Sequence, residues 1–300
     1  MADSRALLEQ LQAHLVQVQN DPATPLNSKL LETCGLFLIP QISAEPSQQL
    51  VRHLAQLLPT LQQDPTPASK LLLKLLEPYP FSAVLQFDPP VDFIAGLDVS
   101  ALPFNHLSLS LLEKATAEAS SARRLAASQP AVFLALVRLW LCTEDTGVAD
   151  KASDVLYGLL NVDLGKPVAG HHGGGASADS IGLEGAVWKR VFRDRDVYGS
   201  FFSICSLDFH QHDIALSKNR KTIAQARLME WLPKVGALDW ASISENHPIA
   251  EEQKSLGRGD QSLLHFAAVH MVDYKRDVLM HRSLIGFYAD LIRSCTQTQL

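Results

Sequence analysis

Three short stretches carry residue types at spacings that could support chemistry. In Gly170-His171-His172-Gly173-Gly174-Gly175, a histidine followed by three glycines imitates the oxyanion segment of some hydrolases, where backbone N–H groups must approach a developing negative charge. That chemistry also needs a nucleophile elbow, and the sequence contains no GxSxG. Two adjacent histidines can hold a metal, but no carboxylate or thiol stands at ligand spacing to complete the set. The stretch therefore reads as a flexible insertion.

Arg193-Asp194-Arg195-Asp196 contains a DxD, and paired carboxylates suit hard divalent cations. Alternating signs at a helix boundary fit better with solvated charges and a cap, Asp196 standing near the start of the next helix. Lys218-Asn219-Arg220-Lys221 is the one compact basic cluster. It suits phosphates, an acidic partner, or a solvated turn before a helix beginning at Ile223. The expectation is a non-enzyme with no catalytic residue, cofactor or metal. Its interaction candidates are Lys189, Arg193, Arg195, Lys218, Arg220 and Lys221, chosen on charge and position alone. Around them, Trp188, Trp231, Trp240, Phe192, Tyr198, Phe201 and Phe202 fit core packing, with a partner groove as the sharper alternative. His265, His270 and His281 fall on different faces of the C-terminal helices and do not form a ligand set.

The elements that must position these residues are helices. Pro130 opens Ala131 to Leu141, a run whose only charged member is Arg138 and which must therefore be covered on most sides. After the polar turn Thr143 to Gly147, Ala152, Val155, Leu156, Leu159 and Leu160 form one apolar stripe at helical spacing. Such a hairpin buries its faces only against neighbours of its own kind, so the predicted class is all-α, a HEAT/armadillo-like α-solenoid of stacked helical hairpins. Upstream, Leu8, Leu11, Leu15 and Val18 mark a first helix, Leu26 to Leu38 a second, the stripe Leu50 to Leu61 a third that begins near Pro46-Ser47, and Lys70 to Leu76 a fourth. Pro78, Pro80, Pro89 and Pro90 make Glu77 to Asp98 an irregular crossover. Phe81 to Phe87 is the longest alternating stretch in the sequence.

Leu107 to Ala119 and Ala122 to Ala127 lead into the hairpin, and helix returns from Leu183 to Leu207 with a break near Asp194 to Asp196. Ile223 to Leu232 ends at Pro233, a short helix follows near Leu238 to Ile243, and a polar loop covers His247 to Gly259. Leu263 to Val272 and Leu284 to Ile292 close the chain, the latter with Leu284, Phe287, Tyr288, Leu291 and Ile292 on one face. The organisation read from this is N-terminal helical repeats over 1–162, a Gly-rich insertion over 163–180, and C-terminal repeats of the same solenoid over 181–300.

With 47% hydrophobic and 19% charged residues, the 300-residue chain has ample material for a core. A net charge of −6 disfavours a protein that coats phosphate backbones, so nucleic acid is the weaker partner expectation. Cys34, Cys142, Cys205 and Cys295 stand singly without CxxC spacing and read as buried thiols. The N-terminus lacks the basic flank and apolar core of a signal peptide, and no apolar run approaches the ~20 residues that span a bilayer. The expectation is a soluble, reduced, intracellular protein.

Val187 to Tyr198, Ala224-Gln225-Ala226-Arg227-Leu228, Leu264 to Asp273 and Asp277 to His281 together resemble the fungal HEAT/armadillo-type chaperones of 26S proteasome regulatory-particle assembly. These are related to non-ATPase regulatory subunit five of animals, and the fungal group is also labelled a DNA mismatch-repair protein. The resemblance runs from about residue 130 to 290. Upstream, only the helical-repeat character is shared. It implies an assembly chaperone that binds the C-terminal domain of an AAA ATPase subunit of the proteasome base and delays its docking on the core particle. No small-molecule substrate, cofactor or membrane would be involved, and the location would be cytoplasmic, with the nucleus second. A DNA mismatch-repair accessory and a general HEAT-repeat scaffold are the alternatives. The chain departs from the family in its shorter array and in its Gly-rich insertion, and no family contact residue maps onto it by motif.

Overall fold

The computed structural model describes residues 2–87, 90–164, 185–207, 217–247 and 262–297, and every element among them is a helix, as the predicted all-α class requires. The chain divides into two compact units, Met1–Lys114 and Ala115–Leu300.

In the first unit, α1 (Ala2–Asn20) buries Leu11, Leu15 and Val18, the period expected of one apolar face. Asn27 caps α2 (Ser28–Thr33), its side chain accepting from the Leu30 N–H at 3.0 Å. Where one helix to Leu38 was expected, the chain widens into a π-helical turn over Cys34–Leu38 and then a short 3-10 turn over Ile39–Gln41. Pro40 has no N–H with which to continue an α-helical ladder. α3 (Ala44–Leu57) and α7 (Leu102–Glu113) both pack on α4 (Thr66–Leu76). α4 buries Ala68, Leu71, Leu72, Leu75 and Leu76 between them. Its C-terminal end is closed by Lys114 Nζ, which donates to the carbonyls of Glu77 and Tyr79 at 3.0 and 3.1 Å.

Among the described residues of 77–98 no long helix forms, as the prolines predict, but the crossover is punctuated by two four-residue helices, α5 (Phe81–Val84) and α6 (Phe93–Gly96). Pro80 stands outside α5 in an extended conformation, where its missing N–H costs nothing. Asp92 caps α6 through the Ala95 N–H. Asn105 Nδ2 then ties α6 to α7 by donating to the carbonyls of Gly96 and Asp98, both at 2.9 Å.

The second unit begins with α8 (Ala119–Ser128) and the hairpin of α9 (Ala131–Cys142) and α10 (Thr146–Asp163). The hairpin forms where the sequence places it. Leu136, Val137 and Trp140 are buried, Arg138 is exposed, and all five residues of the α10 stripe are inside. α10 runs one residue into the expected insertion, whose remainder from 165, with His171 and His172, lies outside the described residues. α11 (Ala186–Phe192) and α12 (Arg195–Cys205) are parted at Arg193 and Asp194, one to two residues before the break expected over Asp194 to Asp196.

α13 (Lys218–Leu238) contradicts the expected stop at Pro233, which sits inside the helix. Burial of Trp231, Leu232 and Val235 on either side outweighs the one ladder bond that proline removes. α14 (Trp240–Ser244) folds back on α13 over Gly236, where an added Cβ would stand 2.7 Å from Ile243 Cδ1. Of the polar loop expected over His247 to Gly259, all but His247 lies outside the described residues.

α15 (Leu263–His265) passes at once into a π-helical turn, Phe266–His270. α16 (Val278–Gln297) is longer than expected and packs against α13. Leu284, Phe287 and Leu291 face inward, but Tyr288 and Ile292 do not share their face. Each step of four residues overshoots a 3.6-residue turn, so 284, 288 and 292 drift steadily around the helix. No single described helix is long and apolar enough to cross a membrane.

Candidate interaction surface

Within the second unit, α11 is pinned before its basic residues are presented. The Asp163 carboxylate at the end of α10 accepts from Arg123 Nε at 2.8 Å and from the Val187 N–H at 2.8 Å. Trp188 Nε1 donates to the Leu160 carbonyl and Arg190 Nε to the Ala126 carbonyl, each at 2.9 Å. The Trp188 ring stacks on Phe192 with centroids 5.5 Å apart. With its inward face held in this way, α11 directs Lys189 and Arg193, one turn apart, to solvent.

The Arg193 to Asp196 stretch is a helix start. Asp194 is the cap of α12, accepting from the Asp196 N–H at 3.1 Å, and its other oxygen lies 3.7 Å from Arg190. The sequence reading had Asp196 near the helix start but missed that Asp194 makes the cap. Among the described residues no cluster of three or more His, Cys, Asp or Glu could hold a metal ion. Arg195 joins Lys189 and Arg193 as an exposed cation, and none of the three has an ion-pair partner among the described residues.

The second basic cluster is divided. Ser217 caps α13 through the Arg220 N–H. Arg220 pairs with Glu144, and Lys221 is half-buried with Nζ 3.5 Å from the Leu207 carbonyl. Lys218 remains exposed. Arg220 and Lys221 are thus partly spent within the fold, while Lys189, Arg193 and Arg195 keep their charge for solvent.

The aromatic residues around them are mainly core. Trp140 lies 5.1 Å from Trp231, Phe201 stacks on Trp231 at 6.1 Å, and Phe202 meets Phe266 at 4.7 Å between centroids. Only Trp240 is exposed. Long polar side chains close the helix ends: Arg227 Nη1 donates to the carbonyls of Trp140 and Thr143, both at 2.9 Å. Gln225 Nε2 serves the carbonyls of Cys205 and Met271. Burial pushes the Cys34 and Cys142 thiols up to about 11 and raises Cys205 as well, so these three stay protonated and unreactive at neutral pH.

His265 and His270 require a correction. They stand on one face with ring centroids 5.2 Å apart, because the π-helical turn brings i and i+5 together where an α-helix would not. His281 is elsewhere, against Tyr274.

Sequence reasoning also missed a feature of the first unit. Because α3 and α7 flank α4, a half-open apolar groove of about 700 Å³ remains, lined among others by Val51, Arg52, Leu76, Tyr79, Phe104 and Leu107. Its walls come from residues spread over Gln48 to Leu111, on several helices and on the proline-rich stretch between them, and no local pattern in the sequence brings them together.

Comparison of the chain with protein-family models, with curated proteins and with solved structures finds no match.

Proposed function

We propose that this chain is a non-catalytic binding protein on a HEAT/armadillo-like α-solenoid. In this reading it is an assembly chaperone that holds the C-terminal domain of an AAA ATPase subunit of the 26S proteasome base. The helical-hairpin character of the α9–α10 pair is compatible with the repeat architecture, and the sequence resemblance over residues 130 to 290 supplies the partner. The observation that carries the reading is the cationic set Lys189, Arg193 and Arg195. These side chains are exposed and free of ion-pair partners among the described residues; Lys189 stands on α11, whose inner face is fixed by Trp188, Arg190 and Asp163, and Arg193 and Arg195 follow just beyond its end. Cations presented from a scaffold held in this way steer an acidic surface towards them. The DNA-repair alternative rests on Lys218 to Lys221, where Arg220 already has Glu144.

The test is purification of the tagged chain from its own cytosol with identification of what accompanies it, in parallel with the Arg193→Glu/Arg195→Glu variant. Base ATPase subunits should accompany the wild type and be depleted from the variant, while its helical circular dichroism is unchanged. Recovery of repair factors without ATPase subunits would overturn the reading.

A further inference from the structure

The groove of the first unit is built like a ligand site. On α3 and at its end, Val51, Arg52, Ala55 and Leu58 recur at three- and four-residue spacing and so share the face turned to the groove. Phe104, Leu107 and Leu111 do the same on α7, and Leu72 and Leu76 of α4 lie buried between the two walls. A space of about 700 Å³, lined mainly by apolar side chains, has the size and character of a small-molecule site. A docking helix asks for more room. The eight residues that carry its anchors form a cylinder roughly 12 Å long and 10 Å across, or about 900 Å³.

The charges on the walls select the ligand. Arg52 is the one cation among the described lining residues, and it is exposed with no ion-pair partner among the described residues. The stem of such a side chain lies along apolar surface while its guanidinium stays in water, so the α3 wall is apolar with a cationic rim. Asp92 is the one acid on the described lining, and its Oδ1 accepts from the Ala95 N–H as the cap of α6. Attraction by Arg52 and repulsion by Asp92 act on an anion in the same sense, towards α3 and away from α6. We propose that the groove binds a long-chain fatty acid, with its carboxylate on Arg52 and its acyl chain over Leu72 and Leu76. The site does not depend on the ATPase reading.

Titration of the full chain with cis-parinaric acid, a polyene fatty acid whose fluorescence rises when it leaves water, tests the proposal. The wild type should bind it saturably, one molecule per chain, and palmitate should displace it. Hexadecanol, with the same chain and no charge, should compete roughly tenfold more weakly, the loss expected for one charge-assisted hydrogen bond. Arg52→Met should weaken palmitate by the same factor and leave hexadecanol unchanged. Ala55→Trp, which fills the groove from α3, should abolish binding of both. Helical circular dichroism with thermal unfolding confirms that each variant is folded; should Ala55→Trp not fold, Arg52→Met and the hexadecanol comparison decide alone. Absence of saturable binding by the wild type overturns the proposal. So does equal competition by palmitate and hexadecanol, palmitate affinity indifferent to Arg52→Met, or binding that survives in a folded Ala55→Trp.

Discussion

Arg123 Nε donates to Asp163 Oδ1 at 2.8 Å across forty residues of sequence, and Arg123 Nη2 donates to the backbone carbonyl of the same Asp163 at 3.1 Å. The other carboxylate oxygen takes the Val187 N–H at the start of α11, so one buried acid joins α8, α10 and α11. The Asp163 side chain is wholly enclosed, and that of Arg123 is 14% exposed. A buried pair of this kind adds little over an apolar replacement of both partners, but removal of one partner leaves a desolvated charge.

Arg123→Ala is therefore expected to cost about 3 kcal/mol in urea unfolding. Arg123→Lys should recover part of that, since it keeps the charge but loses the two-pronged donation to one residue. Asp163→Leu/Arg123→Met, which removes both charges, should be less damaging than Arg123→Ala. Equal losses in all three would show that the ion pair is not what holds α11 to α8 and α10.

The hairpin was legible in the sequence because Ala152 to Leu160 repeats at helical spacing and a single helix must hide that stripe. What depends on contact between distant residues was not. Asp163 reads as the first residue of a glycine-rich stretch, and nothing local to it announces Arg123. Pro233 carries a stop signal that tertiary burial of Trp231 and Val235 overrides. His265 and His270 come together only through a π-helical turn that an α-helical wheel does not contain. Of the interaction candidates, charge could be read directly, but whether a partner already held it could not. Glu144 lies far from Arg220 in sequence and removes it from the available set, whereas Lys189, Arg193 and Arg195 stay exposed.

The buried thiols make stability pH-dependent on the alkaline side. In the unfolded chain the Cys142 thiol ionises at its ordinary value near 9.0. In the fold, burial pushes it to about 11, against the pull of Arg138, Arg227 and Arg220. The protonated form is the one the fold favours. Its contribution is thus complete below about pH 9 and lost as pH rises towards 11. Wild-type stability should fall across that window, and Cys142→Ala should fall less steeply over the same range. Parallel slopes for the two proteins would mean that Cys142 does not titrate as its burial requires.

Gly158 lies in the interior of α10, where glycine is unfavourable by about 1 kcal/mol relative to alanine. Its use there follows from Thr116, whose Cγ2 and Cβ would stand 2.9 and 3.1 Å from a Cβ at position 158. Thr116 is branched at Cβ, so a rotation about χ1 moves the methyl but leaves the Cβ contact in place. Overpacking of this size costs roughly 1–3 kcal/mol, which cancels or exceeds the helix-propensity gain. Gly158→Ala should accordingly leave stability unchanged or lower it by up to about 2 kcal/mol. Thr116→Gly should lower it when made alone, and Gly158→Ala made in that background should raise it by about 1 kcal/mol, since only the propensity gain remains. Thermal unfolding of the four proteins measures the coupling. Additive effects would mean that α10 and the turn before α8 do not meet at Gly158.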